Sequence, residues 1–235
     1  MHLAFTYTVE KDVENFIKGT KSVNNPKPTR LQRLYIEKHG EEITEAKVKA
    51  FIENYLQENN IDTKTEETRL TGNWTAIENT FIERVEKIFG LHYPAATITA
   101  YLTTNSRCTY NIAENYFFVD FGIQPLKASS GRMTQPRVAE QWSYDYKNPN
   151  ATVMHELLHF YTFHAFHSKL EQQGILKRVY NDIKESLTEL LNVEFADLMN
   201  GAVDTGYPQH TEMRKKVREI WAETHSVETV VQALI

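Results

Sequence analysis

The chain has 235 residues, 26 Lys and Arg against 31 Asp and Glu, a formal charge of −5, and one cysteine. That length suits one large domain or a core domain with an extension, and the acidic balance argues against broad electrostatic binding to nucleic acid. Cys108 alone excludes an internal disulfide framework and a cysteine-rich zinc site, and no stretch has the length and apolarity of a membrane span.

The first residues, Met1-His2-Leu3-Ala4-Phe5-Thr6-Tyr7, lack the basic and then apolar pattern of a secretory signal. With the lone cysteine, this gives the expectation of a cytoplasmic protein with no membrane association. Residues 2–9 alternate loosely and predict a strand, followed by a helix over 10–18 that stops at Gly19. Pro and Asn mark 20–29 as a loop, and a helix over 29–39 ends at Gly40. Thr44 caps an amphipathic helix in which Val48, Phe51, Ile52, Tyr55 and Leu56 recur at helical spacing. Residues 59–72 read as polar and turn-like. A helix over 74–89 carries Trp74, Ile77, Phe81, Val85 and Phe89 on one stripe, and Gly90 ends it. These aromatic stripes read as core.

The character then changes. Residues 96–103 and 115–123 are rich in β-branched and aromatic side chains and predict strands, with a turn at Asn105-Ser106-Arg107-Cys108 and a further short strand at 108–112. Together they predict a hairpin or small meander. Residues 124–149 hold Pro125, Gly131, Pro136 and Pro149 and read as loop, with a short helix around 136–142.

A helix from Val153 to Phe166 follows, with Asn150 as its N-cap. Within it, His155-Glu156-Leu157-Leu158-His159 reads H-E-x-x-H. Positions i and i+4 share a helix face, so both imidazoles can reach one metal ion. Zinc suits such a pair, because it accepts neutral imidazole nitrogen with little geometric demand of its own. Glu156, beside the open position, is placed to take a proton from water and hand it to a leaving amine. The alternative is a pair of core histidines, which would be costly without a shared partner.

Gln172-Gln173-Gly174 breaks the chain, and a second long helix is expected from 175–182 to about 199. A catalytic zinc needs a third protein ligand. His164 and His167 lie more than a turn beyond the pair and read as surface or second-sphere groups. Glu185 and Glu189 are four apart, so on one helix they share a face. One can bind the metal while the other orients a ligating histidine through its second nitrogen. Residues 204–210 are a loop, and helices are expected at 211–224 and 226–234. The run Arg214-Lys215-Lys216-Val217-Arg218 reads as a solvated face.

The helix pair resembles the gluzincin group of zinc metallopeptidases, the thermolysin-like arrangement. That group combines H-E-x-x-H on one helix with a Glu ligand on a following one. The ligand is followed, three and four residues on, by a small and an acidic residue. Here these positions hold Glu185, Thr188 and Glu189, with Glu189 standing where the group usually has Asp. The resemblance implies Zn2+ held by His155, His159 and Glu185, Glu189 as the carboxylate behind a ligand, and Glu156 as general base. It also implies an oxyanion donor from outside the ligand set, for which Tyr207, His210 and Tyr180 are the candidates. The implied substrate is a peptide or protein lying along a sheet edge, with the strand at 115–121 as that edge.

The expected fold is α+β, mostly helical, with a small antiparallel sheet next to the His-Glu helix. The expected organisation is a helical region over 1–90 and a zincin-like domain over 91–235. The rival reading is a non-catalytic metal-binding or scaffold protein that binds a partner.

Overall fold

The computed structural model describes residues 1–20, 28–121 and 149–235. The expected helix around 136–142 and most of the loop at 20–29 lie outside the described residues. The remainder is α+β, with helices dominant and a small mixed sheet. The described residues divide into two compact units, and neither is continuous in sequence. One holds 2–20, 28–74 and 97–121, and the other 75–96 and 149–235. The division therefore does not run between 90 and 91. The segment 97–121 goes with the N-terminal helices, because its strands pair with the first strand of the chain.

In the first unit, β1 (His2–Thr6), β2 (Thr97–Thr103), β3 (Tyr110–Asn111) and β4 (Tyr116–Asp120) form a sheet in the order β1-β2-β4-β3. β2 runs parallel to both β1 and β4, with Leu3 opposite Ile98 and Ala100 opposite Phe117. Only β3 and β4 are antiparallel. The sheet is thus mixed and not antiparallel, and β4 is an inner strand, not the expected edge. The reason is local. Asn115, at φ 52°, closes a turn that lays β3 back on β4 and covers the side expected to be free.

α1 (Val9–Thr20), α2 (Arg30–His39) and α3 (Glu45–Glu58) share a core of Phe16, Tyr35, Val48, Phe51 and Ile52. Phe16, Tyr35 and Phe51 meet edge to face, with centroids 5.3–6.4 Å apart. α2 opens with a capping box. Thr29 accepts from the Gln32 N–H, and the Gln32 side chain accepts from the Thr29 N–H. Thr44 caps α3. α1 does not stop at Gly19. A Cβ there would lie 2.7 Å from Nε2 of Gln32, whose amide donates to the Phe16 carbonyl, so this glycine permits close packing.

α4 (Thr63–Thr75) occupies the stretch expected to be turn-like. It buries only Leu70 and Trp74, which is too thin a stripe for periodicity to register. Its start is set by Asp62, which accepts from the N–H groups of Lys64 and Thr65 and the Thr65 hydroxyl. Trp74 therefore belongs to α4, and α5 begins at Glu78.

A fully buried carboxylate ties α1 to the end of β2. Asp12 accepts from the Thr103 hydroxyl at 2.6 Å, and from the Thr104 hydroxyl and N–H at 2.8 and 3.1 Å. Burial pushes its carboxyl from the ordinary 3.8 up to about 6, against the pull of these hydrogen bonds.

The second unit begins with α5 (Glu78–Phe89), which ends at Gly90 in the left-handed conformation, as expected. α6 (Asn150–Thr162) carries the His-Glu motif and passes through a π turn (Phe163–His167) into α7 (Ser168–Gln172). Pro149 holds the N-cap position, so Asn150 is the first helical residue and not the cap. α8 (Lys177–Leu187) and α9 (Leu190–Glu194) replace the single long helix expected there. α10 (Thr211–Thr224) and α11 (Val227–Leu234) complete the unit. Every residue of α6 except Thr152 is buried, and α5 packs on it through Phe89 against Tyr161 at 5.8 Å. Among the described residues, no helix is long and apolar enough to cross a membrane.

Candidate metal centre

α6 sets the first part of the site. His155 and His159 stand one turn apart with ring centroids 4.5 Å from each other, both buried. α8 packs on α6 and brings Glu185 to them. Glu185 Oε2 lies 3.8 Å from His155 Nε2, and its Oε1 lies 3.6 Å from His159 Nε2. Taking one atom from each residue, the three potential ligand atoms lie within 4.8 Å of one another. In a tetrahedral zinc site with bonds of about 2.0–2.1 Å, ligand atoms sit about 3.3–3.4 Å apart. The histidine–glutamate separations, taken to the two different oxygens of Glu185, are 3.8 and 3.6 Å, and the whole set lies within 4.8 Å, so the residues present are of the right kind and near enough together to close on a metal ion.

A carboxylate fixes the first imidazole. Asp204 Oδ2 accepts from His155 Nδ1 at 2.9 Å, which leaves Nε2 to face Glu185. Asp204 is itself held on every side. Its Oδ1 accepts from the Gly206 N–H at 2.9 Å, its backbone pairs twice with Asn192, and its carbonyl accepts from Arg214. Gly206, at φ +61°, is required twice over, because a Cβ there would also meet the Arg214 side chain at 2.7 Å.

The charges follow from these contacts. Burial alone would lower the His155 imidazole. The carboxylates of Asp204, Glu156 and Glu185 outweigh that, and the net shift is upward. Burial, with the charges of Lys184 and His155, pushes His159 well below the usual imidazole range. Glu156 is pushed up to about 7, first by burial and then by Glu185 and Asp204, with His155 and Lys184 opposing. Its Oε2 is buried and has no hydrogen-bond partner among the described residues. An acceptor left in that state is costly unless something else occupies its surroundings. Lys184, only 4% exposed, donates to Glu185 Oε1 at 2.5 Å.

No protein-family model, no curated protein and no solved structure matches this chain.

The other residues singled out from the sequence make contacts of their own. Glu189 does not stand on the same continuous helix as Glu185, because α8 ends at Leu187. The chain there winds more tightly, with Glu189 N–H bonding the Ser186 carbonyl and Leu191 N–H the Thr188 carbonyl. Glu189 turns instead to Arg214 at 2.7 Å and to Arg218, and accepts from Asn192. It supports the guanidinium that holds Asp204, one step further out than expected. Arg214 is buried, so the basic run is not a purely solvated face.

His210 hydrogen-bonds Asp182, one turn before Glu185, at 3.1 Å, and packs edge-on to the half-exposed Tyr207 at 5.9 Å. Tyr180 lies edge-on to His167 at 5.0 Å. His164 meets the Tyr93 hydroxyl at 3.3 Å. Sequence reasoning missed Asp204 and Lys184. Asp204 sits in a segment whose Asp-Thr-Gly reads only as a turn, and nothing in its spacing ties it to residues 49 positions upstream. Lys184 looks like any surface lysine of an amphipathic helix.

Proposed function

We propose that this chain is a zinc-dependent metallopeptidase of gluzincin type that hydrolyses peptide bonds in a peptide or protein substrate. One observation carries the reading. Three ligand atoms converge on one point, beside a buried glutamate whose second oxygen is left without a partner among the described residues. A structural site closes its fourth position with protein and has no use for a base there.

Zinc bound at this point would supply Lewis acidity, polarising the scissile carbonyl and lowering the pKa of water. His155, His159 and Glu185 would hold the ion, with Asp204 keeping His155 in the tautomer that offers Nε2. Glu156 accepts the proton of the attacking water and passes it to the leaving amine. Burial favours this, since it holds the carboxyl above its ordinary range and so helps it keep the proton between the two transfers. The orienting carboxylate comes from the 204–210 segment, not from the fourth position after the glutamate ligand. That is this chain's departure from the thermolysin-like pattern. The lone Cys108 supports a cytoplasmic setting.

The test is Glu156→Gln against wild type, read by zinc content and by cleavage of an unstructured protein and a mixed peptide library. The expected result is unchanged zinc with hydrolysis reduced about 10²–10⁴-fold. Equal cleavage by both proteins, or no zinc in either, overturns the proposal.

A further inference from the structure

Among the described residues Lys184 is the only buried lysine, and its ammonium lies against a residue that faces both histidines. Burial of lysine is rare and costly, and a methionine or glutamine of similar length would fill the same volume without a charge. The placement also opposes the metal. A fixed positive charge on a ligand carboxylate repels a divalent ion and competes for the oxygen that would bind it. A site selected only for tight binding would lack it.

We propose that Lys184 is a positioning residue that restricts Glu185 to one ligating oxygen and keeps the site short of negative charge. The inference rests on the zinc reading. With Oε1 taken by the ammonium, Oε2 is the oxygen left for the ion. A carboxylate free to give both oxygens would fill the coordination position that water and substrate need. The charge acts in the same direction. Glu156, Glu185 and Asp204 bring three carboxylates to the region, and Arg214 is engaged with Asp204 and Glu189. Lys184 offsets one of these carboxylates, so less of the ion's charge is neutralised by the protein and more of it acts on a bound carbonyl.

The test uses the full chain as wild type, Lys184→Met, Lys184→Gln and Lys184→Arg, with circular dichroism to establish folding. Zinc affinity is measured by chelator competition, and the visible absorption of the Co2+-substituted protein reports coordination number. Lys184→Met and Lys184→Gln should bind zinc about tenfold more tightly or better. Their cobalt spectra should fall from the intense bands of four-coordination toward the weaker bands of five. Lys184→Arg, which keeps the charge, should stay near wild type. If Met misfolds, Gln carries the comparison.

Unchanged or weaker zinc binding in the folded neutral variants, with an unaltered cobalt spectrum, overturns the role of Lys184 and leaves the zinc reading standing. Failure of wild type to take up any metal removes the zinc reading itself, and this inference with it.

Discussion

Two buried carboxylates, Asp12 in the sheet unit and Glu156 in the helical one, show how differently a fold can treat the same group. Burial raises both, Asp12 to about 6 and Glu156 to about 7. Asp12 is surrounded by neutral donors, and both of its oxygens accept hydrogen bonds. It is a joint between α1 and β2. Glu156 sits among charges, with one oxygen that no described group answers. The carboxylate of Asp12 is saturated and joins two elements, whereas Glu156 keeps an oxygen without a partner among the described residues, beside the grouped ligand atoms.

The sharpest way to break that contrast is to remove each kind of support in turn. Glu185→Ala should abolish stoichiometric zinc, measured by atomic emission on the purified protein. Glu189→Ala should keep its zinc but lose about 3 kcal/mol in urea unfolding, because Arg214 stays buried with one carboxylate fewer. Zinc lost in Glu189→Ala and kept in Glu185→Ala would reverse the assignment.

The next effect concerns Asp12 and runs with pH. Its folded value lies above its ordinary one, so the native state holds the proton longer than the unfolded chain. Its contribution to stability therefore falls as pH rises from about 4 to about 6, by on the order of 2–3 kcal/mol, and stays low above that. Asp12→Asn should lose this slope. Urea unfolding of both proteins at pH 4 and pH 7 reads it as a stability difference that shifts toward the variant at the higher pH. Parallel pH profiles would show that Asp12 is not the group titrating.

The smallest effect sharpens the role of Asp204. Asp204→Asn keeps the shape of the hydrogen bond to His155 but removes its charge. Zinc affinity should fall about 10–100-fold, as is typical for partners behind a ligand. Chelator competition measures this, and an affinity equal to wild type would leave the carboxylate with a folding role only.

The sequence was informative where the physics is periodic. α3, α5 and the His-Glu helix follow from stripes of apolar residues and from Thr44 and Gly90 at their ends. α4 was invisible, because a helix with two buried side chains is held by its neighbours and not by its own pattern. Strand composition located β2 and β4, but alternation carries no information on parallel against antiparallel pairing. In the site, the spacing of His155 and His159 was legible because a helix repeats. The expected fellowship of Glu185 and Glu189 failed because it assumed that α8 continues, and Thr188 ends it with a hydroxyl on the Glu185 carbonyl. Asp204 acts through a pairing 49 residues away and Lys184 through burial, neither of which a local window contains.

The placement of β1 has a consequence for how this molecule comes into being. Its partner across the sheet is β2, with His2 opposite Thr97. During synthesis the first strand must therefore wait, its backbone groups unmatched, until almost the whole N-terminal half has left the ribosome. Residues 75–96, emerging in the meantime, belong to a unit whose remaining helices come later still. Such long-range pairing predicts slow folding and a nascent chain with an exposed strand in need of shelter. Cutting the gene at residue 90 would separate β1 from its mate and leave both pieces prone to aggregate.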